Sequence, residues 1–283
     1  MSLLHVILLA IIQGLAELLP VSSSAHVVVA EKLMGLDPSS PAMTLLLVML
    51  HTGTMFAVIV YFWKQWKATF FADSEATKRF VWLAVIATAL TGIVGEALNK
   101  LMEHTVFKGA PHWQLEDLFS RLDIVAPALL AAGILILIAG LKEGRRPDSE
   151  EKDQIGFGQA AGIGAVQGLC LPFRGFSRSG ATISVGILQG IKKVRVEAFS
   201  FALAVILTPL AIGREVLRLH HADTSGFAHA AAPSLLGMLF SFLAGLLALK
   251  WLSAWLERGR WFYFGIYCLA ASVVVFVLHA RGY

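Results

Sequence analysis

The chain has 283 residues, of which 57% are hydrophobic and only 15% charged, with a formal net charge of +4 and a mean hydropathy of +0.72. Soluble globular domains do not reach that balance, so the composition indicates a polytopic membrane protein. No basic tail or aromatic-interleaved basic patch is present, and nucleic acid is excluded as a partner.

Residues 3–19 and 23–35 form two short apolar stretches around the break Leu19-Pro20-Val21-Ser22. A crossing helix needs ~20 apolar residues, and the second stretch is too short and carries Glu31 and Lys32. The pair, 3–36, is therefore read as a re-entrant hairpin, whose irregular backbone must be buried in protein or line a wet cavity. The apolar run is interrupted by Gln13 and Glu17 and lacks a basic leader, so a cleaved signal peptide is not expected.

Spans are expected over 43–63, 80–98 and 124–141. Residues 99–122, with Trp113 and Phe119 among scattered charges, are expected along the interface, and 142–153 as a solvated loop whose acids hold no metal. A second interrupted pair follows: 157–171, the break 172–179, and 180–191. Lys192, Lys193 and Arg195 close it, and spans are expected over 199–217, 233–252 and 261–278. Cys170 and Cys268 lie in apolar surroundings and read as free buried thiols.

The two parts of the chain share a pattern. Each is a broken hairpin followed by three spans, and Gln13-Gly14-Leu15 recurs as Gln167-Gly168-Leu169. Interrupted short segments at matching positions mark repeats whose interface holds the site. The expected fold is all-α, with six transmembrane helices and two re-entrant helical hairpins in inverted-topology repeats. It forms one membrane domain, with repeat 1 about 1–141 and repeat 2 about 156–283 (hairpin 157–191). Most Lys and Arg fall in the loops near 64–79, 142–155, 192–195 and 250–260, which assigns those loops to the cytoplasm and both termini to the outer side.

Polar groups at membrane depth are too costly to be decoration. Gln13 and Glu17 are i and i+4, on one helix face. An amide oxygen and a carboxylate there could share a divalent cation; a polar contact within the bundle is the competing reading. Ser22, Ser23 and Ser24 stand where the second short helix begins, as caps or as reactive hydroxyls. His26 lies three residues past Ser23, so Ser23 and His26 could pair as nucleophile and base. Arg178, between Ser177 and Ser179 and ahead of Gly180, opens another short helix. Helix N-terminal amides and a guanidinium make a phosphate site, to which Ser177, Ser179 and Thr182 could add donors. Arg174 is a second phosphate clamp or an interfacial anchor. His51, Glu96, Arg214 and Glu215 are expected as satisfied bundle contacts or anchors, and Gly92, Gly95 and Gly133 as points of close helix packing.

Across essentially its whole length the chain resembles the undecaprenyl-pyrophosphate phosphatase, or bacitracin-resistance protein, family. Gln13 and Glu17 match the family's first acidic motif. Pro20 through Ser23 with His26 match its Pro-Val-Ser-Ser and downstream His, and Gly175 through Thr182 match Gly-Phe-Ser-Arg-Ser-Gly-Ala-Thr. Two departures stand out: Gln13 replaces the commoner Glu, and Arg174-Gly175 replaces the usual Pro-Gly.

The resemblance implies an inner-membrane phosphatase that removes the terminal phosphate from the C55 isoprenyl pyrophosphate carrier, conferring bacitracin resistance. It further implies a divalent cation, Mg2+ or Ca2+, and a site facing the outer side. On this reading the catalytic set is Glu17, Ser23, His26 and Arg178, with Ser22, Arg174, Ser177, Ser179 and Thr182 around the phosphate. The partners are the polyprenyl pyrophosphate and membrane lipids; oligomeric state, a homodimer included, is left open, as is the nucleophile (Ser23, His26 or water). A lipid flippase or secondary transporter is the rival class, because inverted repeats with broken helices also suit alternating access.

Overall fold

A computed structural model of the chain describes residues 2–37, 40–105, 121–144, 151–220 and 227–282. The described residues are almost entirely helical.

α1 (Leu3–Leu18) starts at Ser2, whose hydroxyl accepts from the His5 amide. It stops because Pro20 disfavours helical backbone at the residue before it, and Leu19 is extended (φ −70°, ψ 150°). α2 (Ser23–Leu33) ends at Gly35 (φ 64°), where the Leu36 amide donates back to the Glu31 carbonyl. At ~1.5 Å per residue the two are roughly 24 and 17 Å long, each short of a bilayer's ~30 Å core.

α3 (Pro41–Thr69) begins at a Ser40 cap with Pro at its first position. α4 (Ser74–Thr105) begins where Asp73 Oδ1 accepts from the Ala76 amide at 2.8 Å, and α5 (Leu122–Glu143) follows. The second short pair is α6 (Phe157–Leu169) and α7 (Arg178–Leu188). α8 (Lys193–His220), α9 (Phe227–Glu257) and α10 (Trp261–Ala280) complete the chain.

Among the described residues, five helices are long and apolar enough to cross a membrane: α3, α4, α5, the 231–257 part of α9, and α10. The expected span 199–217 lies within α8. The interfacial segment expected over 99–122 falls largely outside the described residues, as do 145–150 of the solvated loop and the side chains of Arg214 and Glu215. In the described part of that loop, Asp153 pairs with Lys192 and Arg195, both at 3.2 Å. The two cations, Arg195 foremost, hold its carboxyl below the usual range. Glu96 pairs with Lys100 on exposed α4 surface, as expected of an anchor.

Two helix contacts correspond between the halves. α1 lies along α9, α6 lies along α4, and the last helices of the two halves, α5 and α10, pack on each other. The recurring glycines set the first two contacts. A Cβ on Gly14 would stand 2.7 Å from the Ser241 carbonyl oxygen, and one on Gly168 2.8 Å from that of Thr91. Gly95 and Gly133 also face neighbouring side chains; Gly92 has open space, so its expected packing role is not borne out. Leu235, Leu239, Leu243 and Leu247 form an outward ridge at four-residue spacing, each at least half exposed. On a helix long and apolar enough to cross a membrane, an outward apolar ridge of that kind suits contact with lipid.

The core is aromatic at one end, where buried Phe62 stacks on Trp66 and Phe201. The Trp66 indole donates to the Ala198 carbonyl at 3.0 Å, tying α3 to α8. Both cysteines are free, Cys268 fully buried.

Candidate active site

The two breaks share a backbone signature. Ser22 (φ 67°, ψ 92°) and Ser177 (φ 40°, ψ 93°) are the two non-glycine residues with positive φ among those described. Each is the cap of the second short helix of its half. L-residues occupy that region at a cost of roughly 1–3 kcal/mol, and such strain persists only where surrounding structure imposes it. Here it turns the chain sharply, so that the next residue opens a helix: Ser23 in α2, Arg178 in α7.

Those two residues meet on one carboxylate. The Ser23 hydroxyl donates to Glu17 Oε2 at 2.5 Å, and Arg178 Nη2 donates to Oε1 at 2.9 Å. Gln13 Nε2 donates to Oε2 at 3.2 Å from one turn earlier on α1, as the i, i+4 spacing predicts. The Arg178–Glu17 pair is mostly buried, at 22% and 19% side-chain exposure, and Arg178 Nη1 is buried with no partner among the described residues. A guanidinium with one arm held and the other free is a ready donor to a phosphoryl oxygen. A further bond joins the tips, from Ser179 Oγ to the Leu19 carbonyl at 3.3 Å, and the Cys268 thiol of α10 donates to the Pro20 carbonyl at 3.3 Å.

Three expectations change. Ser23 and His26 do not hydrogen-bond to each other. His26 Nδ1 lies 2.8 Å from the Ser22 carbonyl and Nε2 2.7 Å from the Tyr267 hydroxyl. A carbonyl only accepts, so Nδ1 carries the hydrogen and Nε2 of the neutral ring accepts from Tyr267. The base within reach of Ser23 is Glu17. Thr182, expected among the phosphate donors, is fully buried and spends its hydroxyl on the Arg178 carbonyl at 2.8 Å and on Ser200 Oγ at 2.6 Å. The Ser179 hydroxyl is likewise engaged, on the Leu19 carbonyl, whereas Ser177 Oγ accepts from the Gly180 amide and keeps its own hydrogen to donate.

Ser22 Oγ lies 3.4 Å from Ser24 Oγ at the start of α2. Arg174 is near enough to the buried Glu31 of α2 to act on its charge. Gln167, the counterpart of Gln13, donates to Thr91 at 3.1 Å, so only the first-half glutamine belongs to the site.

Two neighbours escaped the sequence reading. His51, expected as a bundle contact, places Nε2 4.0 Å from Glu17 Oε2 while Nδ1 bonds the Leu47 carbonyl at 2.8 Å. An ionisable residue inside an apolar span was the available signal. Tyr267 carried none: 241 residues separate it from His26.

Fold and site together define a multi-pass α-helical membrane protein with a carboxylate–guanidinium–hydroxyl centre where two broken helix pairs meet. The chain belongs to the bacitracin resistance protein BacA family, which matches residues 6–274. It is 59% identical over 285 residues to undecaprenyl-diphosphatase 2 of Acinetobacter baylyi, covering 98% of each chain. It is 34% identical over 296 residues to undecaprenyl-diphosphatase 2 of Burkholderia orbicola, covering 99% of each.

Proposed function

We propose that the chain is an undecaprenyl-diphosphatase of the bacterial inner membrane, hydrolysing undecaprenyl pyrophosphate to undecaprenyl phosphate and phosphate. This recycles the lipid carrier for peptidoglycan synthesis and confers bacitracin resistance. Six membrane-crossing helices, α8 among them, and two re-entrant hairpins in inverted repeats would set the tips near the midplane, with both termini outside. The family and the relatives' activity support the reaction. The observation that carries the site assignment is the convergence of Ser23 and Arg178 on Glu17.

In the reaction, the free arm of Arg178 binds the terminal phosphoryl group and neutralises charge that develops in transfer. Ser23 Oγ attacks its phosphorus, Glu17 takes the hydroxyl proton, and the bond to the bridging oxygen breaks to release undecaprenyl phosphate. Glu17 passes that proton to the departing undecaprenyl phosphate; water then attacks the phosphoserine, Glu17 takes its proton and gives it to the leaving Ser23 Oγ, and inorganic phosphate is released. His26 and Tyr267 border the site and hold the Ser22 turn in place.

A divalent cation fits the donors present. Glu17 supplies one carboxylate, and the Gln13 amide, which now donates its Nε2 to that carboxylate, would supply its oxygen on turning over; such an oxygen set is the kind Mg2+ takes. Gln13 and Glu17 would hold it, and it would supply Lewis-acid polarisation of phosphoryl oxygens.

The test is phosphate release from C55 pyrophosphate by purified protein in detergent, with Mg2+ or Ca2+ and with EDTA. Metal-dependent release abolished by EDTA is expected. Folded protein that releases none under any cation would overturn the assignment and favour transport.

A further inference from the structure

His51 has no part in the reading above, yet it points at its centre. Its Nδ1 lies 2.8 Å from the Leu47 carbonyl, one turn back on α3. A carbonyl cannot donate, so Nδ1 carries the hydrogen and Nε2 of the neutral ring presents a bare lone pair. That lone pair stands 4.0 Å from Glu17 Oε2, too far for a hydrogen bond. Glu17 Oε2 already accepts from Ser23 and Gln13, so a cation entering between it and the imidazole lone pair displaces the Gln13 N–H and turns that amide's oxygen towards the gap. A ring nitrogen whose partner N–H is anchored to a backbone carbonyl is also the usual arrangement of a metal-ligating histidine.

We infer that His51 Nε2 is a nitrogen ligand to the divalent cation held by Glu17 and Gln13, making the site a mixed nitrogen–oxygen one. This rests on the cation assignment proposed above. First-row metals take imidazole nitrogen and carboxylate oxygen at roughly 2.0–2.2 Å, so an ion can reach both atoms across 4.0 Å with little movement. The consequence is selectivity. Ca2+ favours all-oxygen sites, whereas an imidazole shifts preference towards first-row transition metals, least for Mn2+ and more for Fe2+ and Zn2+. The donors come from α1 and α3, and among described residues no three His, Cys, Asp or Glu cluster as a metal site. Amide and substrate oxygens therefore complete the shell.

The test uses Mn2+ itself as the probe on the purified full chain, with no substrate and no turnover. Mn2+ affinity is measured by electron paramagnetic resonance titration, and pulsed measurements detect the modulation from a coordinated imidazole nitrogen. Wild-type protein is expected to show that modulation. His51→Ala should abolish it and weaken Mn2+ binding about tenfold or more, while His26→Ala should retain it. His51→Gln keeps the packing volume and should also lose the modulation if His51→Ala fails to fold. Modulation that persists without His51, or is absent from wild type with Mn2+ bound, overturns the inference. Glu17→Gln separates the two levels. If it weakens Mn2+ binding and His51→Ala does not, the His51 assignment alone falls; if it leaves Mn2+ affinity unchanged, the cation site itself falls.

Discussion

Arg178 donates to Glu17 at 2.9 Å although 161 residues separate them, and this bond joins the two halves of the chain at their broken tips. The pair holds the carboxylate that Ser23 bonds, so the groups able to bind, activate and neutralise are positioned by one another. A mostly buried pair of this kind is conditional: removing either partner leaves an uncompensated charge.

Arg178→Lys keeps the charge but loses the fork that reaches Glu17 and a phosphoryl oxygen together. Phosphate release should fall about 10²–10³-fold, the range for loss of one transition-state donor. Gel filtration and thermal unfolding in detergent should show folded protein. Activity within a few-fold of wild type would remove Arg178 from the site.

Ser23 bonds Glu17 and not His26, so the two alanine variants should differ in kind. Quenching turnover of substrate labelled in its terminal phosphate should trap a phosphoenzyme in wild type and in His26→Ala, and none in Ser23→Ala. Labelled protein in Ser23→Ala would rule out the serine as nucleophile.

The strained caps make a prediction about backbone alone. Ser22→Gly removes the penalty at φ 67°, and Ser22→Val raises it. Melting temperature should hold or rise with glycine and fall with valine by the equivalent of roughly 1–3 kcal/mol. Equal stability of the two would mean the turn relaxes without cost.

Gly14→Val and Gly168→Val push side chains into backbone at 2.7 and 2.8 Å. Each should destabilise by about 1–3 kcal/mol through overpacking. Gly92→Ala, at a helical site with nothing within 4 Å, should be neutral or stabilising by up to about 1 kcal/mol. A thermal shift assay on the three proteins checks the ordering, and a Gly14→Val protein as stable as wild type would contradict close α1–α9 packing.

The helices and breaks were legible in the chain because lipid imposes a local rule. Apolar runs long enough to cross, and Pro, Gly and Ser where they stop, are read from consecutive residues. Each expected span lies inside one helix, which runs up to seven residues past it, and the short stretches coincide with α1, α2, α6 and α7 to within three residues. Gln13 and Glu17 sharing a face, and Arg178 opening a short helix, followed from periodicity and capping in the same way. Partner choice did not. Spacing within one segment paired Ser23 with His26, but the positive-φ turn at Ser22 sends the serine to Glu17 and the imidazole to Tyr267, from the other half of the chain. Thr182 turned to Ser200 and His51 towards Glu17 for the same reason. A side chain's hydrogen-bond partner depends on which helices pack together and at what rotation, and that is decided by long-range contacts no local pattern contains.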